Sequence, residues 1–234
     1  MLVLLLPPSE GKAGGGDGPA WSVDAGDFGV LAPERTRVAN ALRRHRGGTA
    51  KMLGATGPLL RATRAANLAL VGAPTLPAWQ RFSGVVWEHL GPTTLPAAAR
   101  RRARAGVVVV NAVTGLAAWD DPVPDFRLKL SASVPPVGNL ASFWRAPLSR
   151  ALHERLAGAT VVDLLPNEHR AAWVADGDGD VYRLVRPALA TPDGKPAGHA
   201  GKAAKGRLAR ALLEAPDVDR TLASFDAGEL RLTW

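Results

Sequence analysis

Four consecutive valines at residues 107–110, followed by Asn111, do most to narrow what this chain can form. β-Branched side chains are stiff and favour extended backbone. A run without polar alternation offers no face to water, so it predicts a strand buried on both sides, within a sheet covered by helices. Leu2–Leu6 has the same character and is closed by Pro7 and Pro8. Residues 160–165 read the same way, and 127–130 (RLKL), 181–185 and the closing ELRLTW are shorter strand candidates.

Helical spacing fills the intervals. Pro33 opens a helix over 34–46, Gly47-Gly48 breaks it, and a second helical stretch runs from Thr49 to about Leu70, interrupted at Gly57-Pro58. Further helices are expected at 77–90, 96–106, 140–157 and 200–214, with a turn over 166–173 capped by Asn167. Residues 7–32 hold seven glycines and read as a long loop, and a loop of that length in a compact domain is commonly functional. Strands and helices interleave with no repeat and no Ser/Gly linker. The expectation is one mixed α/β domain over 1–234, with 33–90 as a helical subdomain.

The chain has no cysteine, which removes disulfides, thiol nucleophiles, thiolate metal sites and cysteine redox switches. The histidines at 45, 89, 153, 169 and 199 show no metal-ligand pairing, and DGDGD at 176–180 lacks the distal glutamate of a calcium loop. It reads as a turn. No metal or cofactor is expected. No apolar run reaches the roughly 18 residues of a membrane span, and the opening run is too short for a signal peptide. A cytoplasmic protein without membrane or disulfide partners is the expectation. The net charge of +8, from 29 basic and 21 acidic residues, draws such a chain toward nucleic acid or nucleotides.

Only six residues are lysine, the cation whose pKa falls when buried and which suits proton transfer, Schiff-base and phosphate chemistry. PPSEGK sets Ser9, Glu10 and Lys12 just past a buried strand, where open α/β sheets bind ligands. It is not a Walker loop, because the GxxxxGK[ST] spacing is absent. GKAAKGR puts Lys202 and Lys205 on one helical face with Arg207 a step away. Residues 34–67 fit a helix–hairpin–helix whose Gly47-Gly48 turn would offer N–H groups to phosphates, with Arg43, Arg44, Arg46 and Lys51 around it. Two helices joined by a Gly-Gly turn also serve as a plain packing unit.

LLPPSEGK, FSGVVWEHL, PDFRLKL, FWRAPLSRAL, VVDLLPNEHRAAW and GKAAKGRLARALLE occur here in one order. In that order the chain resembles the YaaA peroxide-stress family. The resemblance implies a single mixed α/β domain with a helix–hairpin–helix and a positively charged cleft, DNA binding, and a role under hydrogen peroxide. The chain departs from the family pattern where Trp87 and Phe126 stand in place of tyrosines and Ala118 near an expected arginine, while Arg127 and Glu168 are kept.

Two functions follow. In one, the protein binds DNA without strong sequence preference through Lys202, Lys205, Arg207 and the hairpin cations. In the other, it is an enzyme on a nucleotide, nucleoside or nucleobase. Glu10, Lys12 and Lys202 would then carry the chemistry, and Ser9, Arg127, Lys129, Glu168 and Lys205 would bind. A carboxylate repels phosphates, so Glu10 favours directed chemistry or an internal ion pair with a lysine.

Overall fold

In a computed structural model the structure describes residues 1–176, 178–195 and 197–234. Gly177, inside the turn expected over 176–180, lies outside the described residues. Five strands form the main sheet: β1 (Leu2–Leu6), β2 (Val107–Asn111), β3 (Gly115–Ala118), β4 (Thr160–Asp163) and β5 (Arg183–Val185). Their spatial order is β3-β2-β1-β4-β5. β1 lies at the centre, parallel to β2 and β4, while β5 continues parallel to β4 and β3 turns back antiparallel on β2.

The valine run is fully buried, as its composition requires, and so are Val3 through Leu6. Asn111 ends the run because its side-chain oxygen accepts the N–H groups of Val113 and Thr114, shaping the tight return into β3. The register sets Leu5 beside Asp163, so β1 and β4 end at the same carboxyl edge of the sheet. That alignment positions the site.

The principal helices are α1 (Ala32–Arg44), α2 (Gly57–Leu68), α3 (Val85–Leu90), α4 (Ala97–Gly106), α5 (Leu140–Leu156) and α6 (Gly198–Glu214). α5 starts where the Asn139 side chain accepts the N–H of Ser142, and it buries Leu140, Trp144, Leu148 and Leu152 along one stripe. α4 turns Arg100, Arg101 and Arg104 outward and buries Ala99 and Ala103. It ends at Gly106, where a Cβ would stand 2.1 Å from the Leu2 carbonyl oxygen, so only glycine lets the helix touch β1 there. α6 meets α3 the same way: a Cβ on Gly206 would lie 2.3 Å from the Val86 carbonyl oxygen. One contiguous core joins Val38 and Leu42 of α1 to the sheet strands and α5.

Two local expectations are corrected. Residues 127–130 form no strand. The segment is extended, but its partner is a side chain: Asn67 of α2 accepts the Arg127 N–H at 3.0 Å and donates to the Arg127 carbonyl at 3.1 Å. Burial still alternates, with Leu128 and Leu130 inside and Lys129 out. Asn167 does not cap its helical turn. Pro166 occupies the cap position, and Asn167 Oδ1 instead accepts from Arg170. Among the described residues no helix is long and apolar enough to cross a membrane.

Candidate functional site

Beyond the carboxyl edge of β1 and β4 lies a cavity of about 720 Å³. One wall is PPSEGK itself, pinned to the segment before α3 and to α3. Trp87 Nε1 donates to the Pro7 carbonyl at 3.1 Å, and the Ser83 N–H donates to Ser9 Oγ at 2.8 Å. The opposite wall is the start of α6, with Gly201, Lys202 and Lys205 facing in. Arg127 and Lys129 close one side, and the segment from Leu164 to Arg170 closes the other together with Arg186. Segments more than a hundred residues apart in sequence therefore converge on one space.

Within PPSEGK the two charged side chains diverge. Glu10 turns outward and pairs with Lys129 at 2.6 Å, its side chain 68% exposed. It is paired with a lysine as one of the two readings expected, but at the surface rather than inside. Its pKa is lowered, first by the hydrogen bond and charge of Lys129 and then by Arg127 and Lys202. Lys12 turns inward. Its ammonium stands 4.4 Å from the Phe126 ring centroid and 5.9 Å from that of Phe82, and donates to the Ser9 carbonyl at 2.8 Å. Burial lowers its pKa to about 8, against a partial offset from Asp125.

Across the cavity, Lys205 donates to the carbonyls of Leu164 and Leu165 at 2.9 and 3.4 Å. Burial, and then the charge of Arg170, lower its pKa. Lys202 is exposed at the mouth. Arg207 is exposed and is not among the lining residues, because one further step around α6 carries it off the facing side.

Glu168 lines the cavity beside His169, 3.5 Å from its Nδ1. That separation is too long for a hydrogen bond, and Nδ1 is buried without a hydrogen-bond partner among the described residues. Burial holds the His169 pKa at about 4, so the ring is neutral near pH 7 and the contact is no ion pair.

The residue reading of the sequence passed over Asp163, Arg170 and Arg186. Asp163 is completely buried at the end of β4. It accepts from Arg170 at 2.8 Å, from Arg186 at 3.3 Å and from the Leu165 N–H at 2.9 Å. The signal was available in VVDLLPNEHR: an aspartate ending a buried strand must find a cation, and Arg170 is one helical turn and a loop away.

The hairpin cations stand apart from the cavity. Arg43, Arg44, Arg46 and Lys51 are exposed, whereas Gly47 and Gly48 are buried. The N–H groups of Gly47 and Gly48 donate to the Leu42 and His45 carbonyls at 2.8 and 2.9 Å. Their own carbonyls accept from Asn67 and Arg64. The turn's donors are thus occupied by the fold. No group of His, Asp and Glu side chains that could hold a metal ion occurs among the described residues.

Residues 1–232 match the family described as "Peroxide stress protein YaaA". The chain belongs to the YaaA peroxide-stress family. Similar YaaA-type chains include UPF0246 protein SCO2297 of Streptomyces coelicolor, 32% identical over 216 residues, which covers 91% of this chain and 83% of that protein. UPF0246 protein CE1889 of Corynebacterium efficiens is 29% identical over 217 residues, 92% and 86% of the respective chains. In this YaaA protein the departures noted above fall in the site and the core. Phe126 is the ring beneath Lys12, Trp87 ties down the PPSEGK loop, and Ala118 is buried in β3.

Proposed function

We propose that this protein acts in the cytoplasmic response to hydrogen peroxide, and that its cavity takes a nucleotide, nucleoside or nucleobase on which it performs chemistry. The observation that carries this reading is the convergence of Glu10, Lys12, Arg127, Lys202 and Lys205 on a single space of about 720 Å³. That volume lies within the range of about 300–1,000 Å³ usual for small-ligand sites. It is a poor match for a duplex, which needs an open groove. Cations outnumber carboxylates along the lining, which favours an anionic ligand, and the apolar wall of Val85, Val86 and Trp87 gives a base something to pack on. Glu10 would act as a proton acceptor once a ligand takes Lys129 from it, since that pairing lowers its pKa and weakens it as a base. Ser9, Arg127, Lys129 and Glu168 would hold the ligand.

Thermal denaturation with a panel of nucleotides, nucleosides, nucleobases and short DNA tests this. A ligand at about a hundred times its Kd stabilises the folded state by about 2.7 kcal/mol. A rise in melting temperature with a mononucleotide, lost in Lys202→Ala, is the expected result. No shift with any member of the panel would overturn the reading.

DNA binding by the α1–α2 hairpin is favoured by a separate observation. Arg43, Arg44, Arg46 and Lys51 are exposed and form no ion pair among the described residues. Such cations neutralise phosphates and release counterions, so duplex affinity should fall steeply with salt and without regard to sequence. Replacing the three arginines by alanine should weaken DNA binding and leave the nucleotide response intact. Salt-independent binding would refute the electrostatic reading.

A further inference from the structure

The four lysines of the cavity differ in what occupies their nitrogen. Lys129 is paired with Glu10, Lys205 donates to two backbone carbonyls, and Lys202 is solvated at the mouth. Lys12 is different. It rests on the faces of Phe126 and Phe82 with one carbonyl, Ser9, as acceptor, and no carboxylate lies within ion-pair distance of it among the described residues. The charged groups around it are Asp125 and Glu10, which favour its ammonium, and Arg127 and Arg81, which oppose it. Burial on this floor strips the solvation that keeps ordinary lysines protonated and outweighs the charge of Asp125, and desolvated lysines of this kind are nucleophiles toward carbonyl carbon. Two further cations at the cavity, Arg127 and Lys202, have no ion pair among the described residues and can take an anionic group on the same ligand.

We infer that Lys12 forms a Schiff base with an aldehyde that carries a phosphate group. The step balances without a redox partner. The neutral amine adds to the carbonyl carbon to give a carbinolamine. Both hydrogens of the amine then leave with the former carbonyl oxygen as water, and a carbon–nitrogen double bond remains. This rests on one part of the proposed function, the preference of the cavity for an anionic ligand, and goes beyond it by adding a phosphorylated aldehyde to the ligands the site would accept.

The probe is pyridoxal 5′-phosphate, incubated with the full chain and trapped with borohydride, which adds hydride to the imine carbon. Mass-spectrometric peptide mapping then reports the label at each of the six lysines. With its pKa at about 8 rather than 10.5, Lys12 carries about three hundredfold more neutral amine near pH 7 than an exposed lysine. The expected result is a label at Lys12 at least about tenfold above Lys51 and Lys195, suppressed by inorganic phosphate and weaker with unphosphorylated pyridoxal. A label centred on Lys202 or Lys205 and suppressed by phosphate would overturn the Schiff base and leave the anion site standing. Uniform labelling without phosphate protection would overturn both.

Lys12→Arg keeps the charge, cannot form an imine, and should lose the specific label with the fold intact by circular dichroism. Should that variant fail to fold, the wild-type pH profile decides. Labelling of Lys12 with its midpoint near pH 8 and a plateau above about pH 9 supports the inference, and labelling that keeps climbing through pH 10 refutes it.

Discussion

Two carboxylates, Glu10 at the rim of the cavity and Asp163 behind its lining, meet cations under opposite conditions. Asp163 is 0% exposed and is shared by two guanidinium groups and a backbone N–H. Glu10 holds one ammonium at the rim with most of its side chain in water. A buried carboxylate cannot be left uncompensated, so Asp163, Arg170 and Arg186 act as one structural unit that fixes the cavity's inner side. The rim pair is screened and contributes little to folding. Its geometry is therefore open to be used by a ligand. The inner region holds the shape and the outer region has charge to deploy.

The sharpest way to break this comparison is Asp163→Asn. The amide keeps the acceptor for the Leu165 N–H but strands two cations. Destabilisation of about 3 kcal/mol is expected, at the low end for a broken buried pair because both arginines reach water. Urea denaturation with an unchanged slope measures it, and a loss under about 1 kcal/mol would place Asp163 with Glu10.

Acid titration of His169 probes the same inner region. Its pKa is about 4 folded against an ordinary 6.5, so as pH falls the unfolded chain binds the proton first. Its contribution to stability is complete above 6.5 and is lost between 6.5 and 4. The loss amounts to about 3 kcal/mol at most. His169→Leu should flatten this part of the stability profile; an unchanged slope would mean that the ring is not kept neutral by burial.

Glu10→Gln is the smallest expected effect on folding, under about 1 kcal/mol. If Glu10 instead serves ligand chemistry, the same variant should lower turnover by about 10²–10⁴-fold once a substrate is in hand. A large stability loss with no effect on ligand would invert the roles of rim and floor.

How far each part could be read from sequence follows the same division. β1, β2 and β4 were legible because apolar runs have one physical solution. α5 and α6 were legible because their buried residues repeat at helical spacing. β3 was not, since Gly-Leu-Ala-Ala carries neither strand propensity nor alternation and owes its place to pairing with β2. Residues 127–130 alternate as a strand does, but the ladder there is a single asparagine side chain from α2, which no local pattern announces. At the site, PPSEGK and the lysines of α6 stood out by residue type. The opposite directions of Glu10 and Lys12 did not, because the aromatic floor comes from Phe82 and Phe126, both distant in sequence.

The contact at Gly206 has a consequence for how such a site can diversify. α3 and α6 adjoin along the cavity, and at Gly206 they touch with no side chain between their backbones. The seam between the two helices is therefore already closed. A lineage seeking a narrower pocket cannot bring the helices closer, and any side chain at 206 would push them apart and widen it. Selectivity in descendants of this chain must then be written in the rim, in the loop of Glu10 and the segment of Arg127 and Lys129, while the helical walls pass unchanged from one ligand to the next.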